Sequence, residues 1–276
     1  MKKFGSKNIR KQACGRPQSH GVSLKKQFGQ HFLRDKTVVQ SMLSAIDCAN
    51  KNVFEIGCGD GFLTREIIKQ PIKQLRIFEI DAEWASVVQK ECGSDARVTM
   101  FNANVLDSEG ADFAADAPWI LLSNLPYQVT FPILKKVYAW RAYIPEGVIM
   151  VQEEVAQKIT KTSGRGYGQI SLFFQYYFDW KLLTKISPDA FFPPPSVFSR
   201  LLHFTTKIHV APINQEELFW KFIKQCFSQP RRTIKNNLSS CHYVMTKIPE
   251  SFLLLRAQQV SMNDFLSVWN VLVETL

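Results

Sequence analysis

Between Val53 and Phe204 short apolar runs alternate with amphipathic ones, and this rhythm constrains the fold more than any other feature of the chain. Val53 to Ile56, Leu75 to Ile80, Val98 to Phe101, Trp119 to Ser123 and Gly147 to Val151 are too short for helices and rich in β-branched and aromatic residues, so they predict strands. Phe62 to Lys69, Ala82 to Glu91 and Phe131 to Trp140 have helical spacing, as does Gln169 to Tyr177 further on. Two more strands are expected at Lys181 to Ile186 and Leu201 to Phe204. Alternation of this kind implies an α/β, Rossmann-like parallel sheet with helices on both faces. A helix over Thr37 to Ile46 leads into it. After Thr206 the pattern changes to helical periodicity alone, from Glu216 to Phe227 and on to Leu276, which predicts a small all-helical domain.

Charge is distributed unevenly. Of the formal net charge of +10, eight positive charges lie in residues 1 to 26, which contain no acid. Residues 1–24 therefore read as a flexible basic arm, 25–206 as the sheet domain and 207–276 as the helical domain. Such an arm suits a polyanion, whose condensed counterions it would release. Residues 221 to 247 add Lys221, Lys224, Arg231, Arg232, Lys235 and Lys247, again without an acid. Two basic segments flanking one sheet domain favour a nucleic acid over a merely solvated face. No apolar run reaches the length of a membrane span. The six cysteines contain no Cys-x-x-Cys pair and suggest neither a metal site nor a disulfide framework, so a cytoplasmic location is expected; the chain is also expected to be monomeric.

The first strand runs into Glu55-Ile56-Gly57-Cys58-Gly59-Asp60-Gly61. Glycines at alternate positions between strand and helix let the backbone turn sharply and a ligand pass close over it. The third glycine comes one residue early for the dinucleotide fingerprint, and an acid precedes the loop. Both features suit a cationic cofactor without phosphates and disfavour a nicotinamide dehydrogenase. At the end of the second strand, Glu79 stands where a carboxylate accepts two hydrogen bonds from a ribose. S-adenosylmethionine, with a sulfonium charge and an adenosine, meets both conditions.

The fourth strand ends abruptly in Ser123-Asn124-Leu125-Pro126-Tyr127. It combines an amide, a rigid turn and an aromatic face, a set that can hold a flat hydrogen-bonding ligand. Strands one and four should be neighbours, which would bring their ends within about 5 Å of one another.

With these elements in order, the chain resembles the ribosomal RNA adenine dimethyltransferase family. Four further stretches carry the likeness: Phe28-Gly29-Gln30-His31-Phe32-Leu33, Tyr167-Gly168-Gln169-Ile170-Ser171, Phe191-Phe192-Pro193-Pro194-Pro195-Ser196-Val197, and Gln229-Pro230-Arg231-Arg232-Thr233-Ile234. The resemblance covers nearly the whole chain after the arm. It implies an S-adenosylmethionine-dependent methyltransferase that adds two methyls to each of two adjacent adenines near the 3′ end of small-subunit ribosomal RNA, within an assembling small subunit. By position it implies that His31, Leu33 and Gly57 line the cofactor's methionine end, that Gly59 also binds the cofactor, and that Glu79 holds its ribose and Asn104 sits at its adenine. Asn124 would lie between cofactor and target, with acceptors at Asn124 and the Leu125 or Pro126 carbonyl, and Tyr127 and Phe191 would sandwich the flipped base. Lys25, Lys26, Lys224, Arg231, Arg232 and Lys235 would contact RNA. Two positions depart from the family's pattern: Asn104 and Phe198, each where Asp is usual. Asn104 keeps a non-catalytic RNA-binding assembly or transcription factor as an alternative; a large-subunit methyltransferase of the antibiotic-resistance type is the alternative within the enzyme class.

Overall fold

The computed structural model describes residues 31–241 and 243–274, together with the backbone of a two-stranded antiparallel pair, Gln18–Ser19 and Val22–Ser23. Lys25, Lys26 and the remaining residues of the expected arm at 1–24, apart from this pair, lie outside the described residues.

Seven strands form one sheet: β1 (Asn52–Ile56), β2 (Gln74–Phe78), β3 (Val98–Phe101), β4 (Trp119–Asn124), β5 (Glu146–Gln152), β6 (Phe178–Ile186) and β7 (Ser199–Thr206). Their spatial order is β3-β2-β1-β4-β5-β7-β6. The first five are parallel, with β1 between β2 and β4 as the sequence leads one to expect. β7 corrects the expectation of a wholly parallel sheet, because it alone is reversed and runs antiparallel to both its neighbours, β5 and β6. The loop joining β6 to β7 turns the chain straight back beside itself, and that hairpin geometry requires no crossover helix.

Helices α1 (Lys36–Leu43), α2 (Phe62–Ile68), α3 (Ala82–Cys92), a single turn α4 (Ala111–Ala114), α5 (Thr130–Ala139), α6 (Glu153–Thr160) and α7 (Gln169–Tyr177) accompany the sheet. Helix α6 is an addition to the elements expected from sequence. Its buried side is only Val155, Ala156 and Ile159, directly after a strand, so its period hides in a polar stretch. The double coverage of the sheet is visible in β4, where Trp119 and Leu121 join one buried cluster and Ile120 and Leu122 the other. Alternate side chains of a strand point to opposite faces, so a run without polar residues needs partners on both.

The first of these clusters continues from Phe54 and Leu121 through Phe174 and Tyr177 of α7 into α8 (Glu216–Cys226) and, after α9 (Ile234–Leu238) and α10 (Glu250–Leu253), α11 (Met262–Val273). Polar contacts fix the same junction: the Tyr138 and Tyr177 hydroxyls each donate to Glu216 Oε1 at 2.6 Å, and Trp220 Nε1 donates to Tyr177 at 3.1 Å. Burial works to raise the Glu216 pKa, but the two hydroxyls, the nearby Arg141 charge and Trp220 together outweigh it and hold the carboxyl below its usual range. Among the described residues no helix is long and apolar enough to cross a membrane.

Candidate active site

A cavity of about 340 Å³ opens at the carboxyl ends of β1, β2 and β4. This is where ligands sit in open α/β sheets, since the strand order reverses at β1 and β4 and the loops there diverge. The Ser123 hydroxyl, fully buried, donates to the Ile56 carbonyl at 2.6 Å and ties the end of β4 to the end of β1. The glycine loop and the Asn124 loop are thereby held side by side.

Gly57, Gly59 and Gly61 all have positive φ, at 73°, 52° and 77°. A Cβ on Gly59 would lie 2.8 Å from the Phe32 ring, and one on Gly57 would press on the Pro126 ring at 3.4 Å. Backbone conformation thus disfavours a side chain at each glycine, and at Gly59 the close approach of Phe32 excludes one as well. Glu79 organises the loop from below: its Oε2 accepts from Gly59 N and its Oε1 from Asp81 N, both at 2.9 Å. Burial nevertheless raises its pKa, with these hydrogen bonds pulling the other way. Oε2 also accepts from the Cys58 thiol at 3.8 Å, so the lone pair open to a ligand hydroxyl is on Oε1.

Short contacts close the cavity over the top. Phe32–Leu33 pairs antiparallel with Phe191–Phe192. His31 Nδ1 lies 2.8 Å from the Pro193 carbonyl, and Arg34 forms an ion pair with the buried Asp60 at 2.6 Å while its backbone N–H donates to Ala190 O. The segment 31–34 therefore bridges the glycine loop and the Pro-rich loop.

Of the residues expected at the cofactor and target, His31, Leu33, Gly57, Gly59, Glu79, Asn104, Asn124, Leu125, Pro126 and Tyr127 all line this cavity. Phe191 does not. Its side chain is 4% exposed and packed in the sheet core, whereas its neighbour Phe192 is 44% exposed. This corrects the expected sandwich: in a strand, adjacent side chains take opposite faces, and the pairing of Phe191 with Leu33 turns Phe191 inward. The ring that does lie alongside Tyr127 is His31, with centroids 6.1 Å apart and planes at 25°. Lys224, Arg231, Arg232 and Lys235 are exposed on the helical region, away from the cavity wall. There Asn237 Nδ2 donates to Cys226 O at 2.7 Å and Gln229 O at 3.2 Å, fixing the turn that carries the two arginines.

Three residues that sequence reasoning gave no individual role shape the site. Ile80 is 51% exposed at the end of β2, an apolar face presented to the cavity beside Glu79. Phe32 packs edge-on against buried Trp84 at 4.9 Å and covers Gly59. Ser199 meets the Tyr127 hydroxyl at 2.5 Å and fixes that ring from β7.

The wall carries Glu55, Asp60 and Glu79 and, among the described residues, no Lys or Arg. Hydrogen-bond acceptors with no anion-binding cation beside them fit a phosphate-free ligand with a ribose, and the glycine cradle gives it room, so the residues fit S-adenosylmethionine. Glu55 is fully buried and accepts from the Thr64 hydroxyl at 2.6 Å. Burial pushes its carboxyl up to about 8 from an ordinary 4.5, with the Thr64 hydrogen bond opposing. Between those values the folded chain holds a proton that the unfolded chain releases, so stability falls as pH rises through the window and is level above it. Glu55→Gln removes this titration. Without cofactor, its melting temperature should equal wild type near pH ~4 and exceed it increasingly up to pH ~8; a constant offset across that range would contradict the assignment.

A family model described as ribosomal RNA adenine dimethylase matches residues 21–272. Ribosomal RNA small subunit methyltransferase A of Mycoplasma mobile is 33% identical over 250 residues, covering 88% of this chain and 96% of that protein. Among solved structures, a dimethyladenosine transferase from Plasmodium falciparum superposes with a TM-score of 0.72 at 19% identity, over 86% of this chain and 96% of that one. The 23S rRNA methyltransferase ErmE does so at 0.67 and 20% identity, over 88% and 99%. These two likenesses establish a shared methyltransferase fold; the family follows from the sequence matches. The chain belongs to the ribosomal RNA adenine dimethylase family, whose members are S-adenosylmethionine-dependent methyltransferases.

Proposed function

We propose that this protein dimethylates the exocyclic amino groups of two adjacent adenines near the 3′ end of small-subunit ribosomal RNA, acting in the cytoplasm as a monomer on an assembling small subunit. The observation that carries this reading is the free side-chain amide of Asn124, placed in the same cavity as the glycine loop and beside Tyr127. Among the described residues that amide has no hydrogen-bond partner.

Bound in the cavity, the cofactor supplies an electrophilic methyl group. The chain's own residues have to present the nucleophile. An adenine amino group is a poor one because its lone pair is delocalised into the ring. Acceptors for both of its protons orient it and favour a more localised lone pair. Asn124 Oδ1 is one acceptor. The Pro126 carbonyl already accepts from Val129 N at 3.2 Å and Thr130 Oγ1 at 3.1 Å, while the Leu125 carbonyl has no donor among the described residues. Leu125 is therefore the better second acceptor. Tyr127, held by Ser199, offers its face to the base. Stacking of about 1–3 kcal/mol per base offsets removal of the adenine from the RNA.

On the cofactor side, Glu79 would hold the ribose, Ile80 the adenine face and Asn104 the adenine edge. Asn104 Oδ1 already caps the following turn by accepting from Leu106 N at 3.1 Å. An aspartate could cap with one oxygen and accept from the ligand with the other. Asn104→Asp should lower the cofactor Kd by about tenfold, measured by titration calorimetry; an unchanged or weaker affinity would remove Asn104 from the adenine subsite.

The chain divides, in this reading, into a basic arm at 1–24, a catalytic domain at 25–206 and an RNA-binding helical domain at 207–276. Lys224, Arg231, Arg232 and Lys235, exposed and in no ion pair among the described residues, would meet phosphates, together with Lys25 and Lys26. The test is transfer of labelled methyl to unmethylated small and large ribosomal subunits, followed by nucleoside digestion. Dimethyladenosine confined to small-subunit RNA is expected. Label appearing in large-subunit RNA, or in neither, would overturn the reading.

A further inference from the structure

The Pro-rich loop that follows Phe191 exposes Phe192, Val197 and Phe198, at 44%, 38% and 45%. Three large apolar side chains in water on one short loop form a patch that ordinary packing does not account for. Phe198 is the best fixed of them. Its carbonyl accepts from Glu153 N at 2.9 Å, extending the β5–β7 ladder by one residue, and the next residue, Ser199, is the one whose hydroxyl meets Tyr127. The Lys185 ammonium lies 4.3 Å from the Phe198 ring centroid. Arg200, the cation opposite Lys185 across the strands, is spent on a two-bond pair with Glu153 at 2.7 and 2.8 Å. Lys185, by contrast, has no carboxylate at ion-pair distance among the described residues. An aromatic ring with a cation over one of its faces, one residue beyond the serine that holds Tyr127, has the chemistry of a single-stranded nucleotide site: the other face of the ring takes a base and the ammonium a phosphate.

We propose that Phe198 and Lys185 form a second base platform, which stacks the nucleotide adjacent to the adenine held at Tyr127. The proposal rests on the adenine reading above and extends it to the neighbour. Two adjacent adenines cannot occupy one pocket together, so the one not being methylated needs a place outside it. Tyr127 is carried by the β4 end and Phe198 by the start of β7; the single strand β5 separates them, which puts the two strand ends about 10 Å apart. A flexible unpaired nucleotide step can follow that path along the sheet edge.

The experiment is a double-substitution cycle between protein and RNA. Steady-state methyl transfer is measured on reconstituted small subunits whose RNA carries either the intact adenine pair or an abasic nucleotide beside the remaining target. Phe198→Ala should raise KM for intact subunits by about tenfold, the low end of what one lost base stack removes, with kcat and cofactor Kd unchanged. The abasic nucleotide should cost wild type the same factor and Phe198→Ala nothing further. Phe198→Leu, which keeps bulk without an aromatic face, should behave as Ala, and Phe198→Trp should behave as wild type. Equal KM for wild type and Phe198→Ala on intact subunits, or a full additional abasic penalty in the variant, would overturn the platform while leaving the adenine reading standing. Absence of any transfer by wild type would overturn the adenine reading, and the platform with it.

Discussion

Replacing Asn124 by alanine should lower the rate of methyl transfer by about 10²–10³-fold, the usual consequence of removing one preorganised polar group from a reacting centre. The cofactor Kd should change only a few-fold, because in the proposed reading the ribose and adenine ends would be held by Glu79 after β2 and by the turn at Asn104 and not by the end of β4. Stability should hardly change, since the amide makes no hydrogen bond within the described residues. That combination separates a role in catalysis from a role in packing. Cofactor titration and single-turnover transfer on the same preparation give both numbers. Transfer at the wild-type rate would show that the amine is oriented by other groups.

A second large effect is expected at Glu79. Its two oxygens already accept from the backbone of the glycine loop and from the start of α3. Glu79→Ala removes these acceptors together with those offered to the ribose. Two charge-assisted hydrogen bonds of about 1.5–3 kcal/mol each set the scale, so the cofactor Kd should rise by at least about 10²-fold. The orphaned Gly59 and Asp81 N–H groups should also cost about 1–3 kcal/mol of folding stability. Glu79→Gln keeps one accepting oxygen and should fall between. A Kd within twofold of wild type for the alanine variant would place the ribose elsewhere.

The legible parts of this protein were those in which local chemistry and position coincide. Glycines at alternate positions after a strand have few structural explanations, and here each of the three adopts positive φ. Glu79 and Asn124 could be read because strand ends on one edge of a parallel sheet converge, and β1 and β4 are indeed neighbours. What escaped the sequence was decided by tertiary pairing. Phe191 and Phe192 are chemically equivalent, and only the ladder with Phe32–Leu33 determines which of them is buried; a shift of one residue would exchange them. The direction of β7 is likewise a property of its partners, since an apolar strand looks the same whichever way it runs. The Pro126 carbonyl was discounted as an acceptor only when the following turn was seen to occupy it. Ile80 could not be recognised beforehand, because an apolar residue at the end of an apolar strand announces burial, and here it is exposed.

The central claim is that one cavity methylates two neighbouring adenines, twice each. Its most direct test is mass-spectrometric mapping of small-subunit RNA after unmethylated subunits are incubated with the wild-type protein and S-adenosylmethionine. The account predicts two adjacent dimethyladenosines near the 3′ end and no other new modification. Methylation of a single adenine, of two separated ones, or of the large-subunit RNA instead would contradict it.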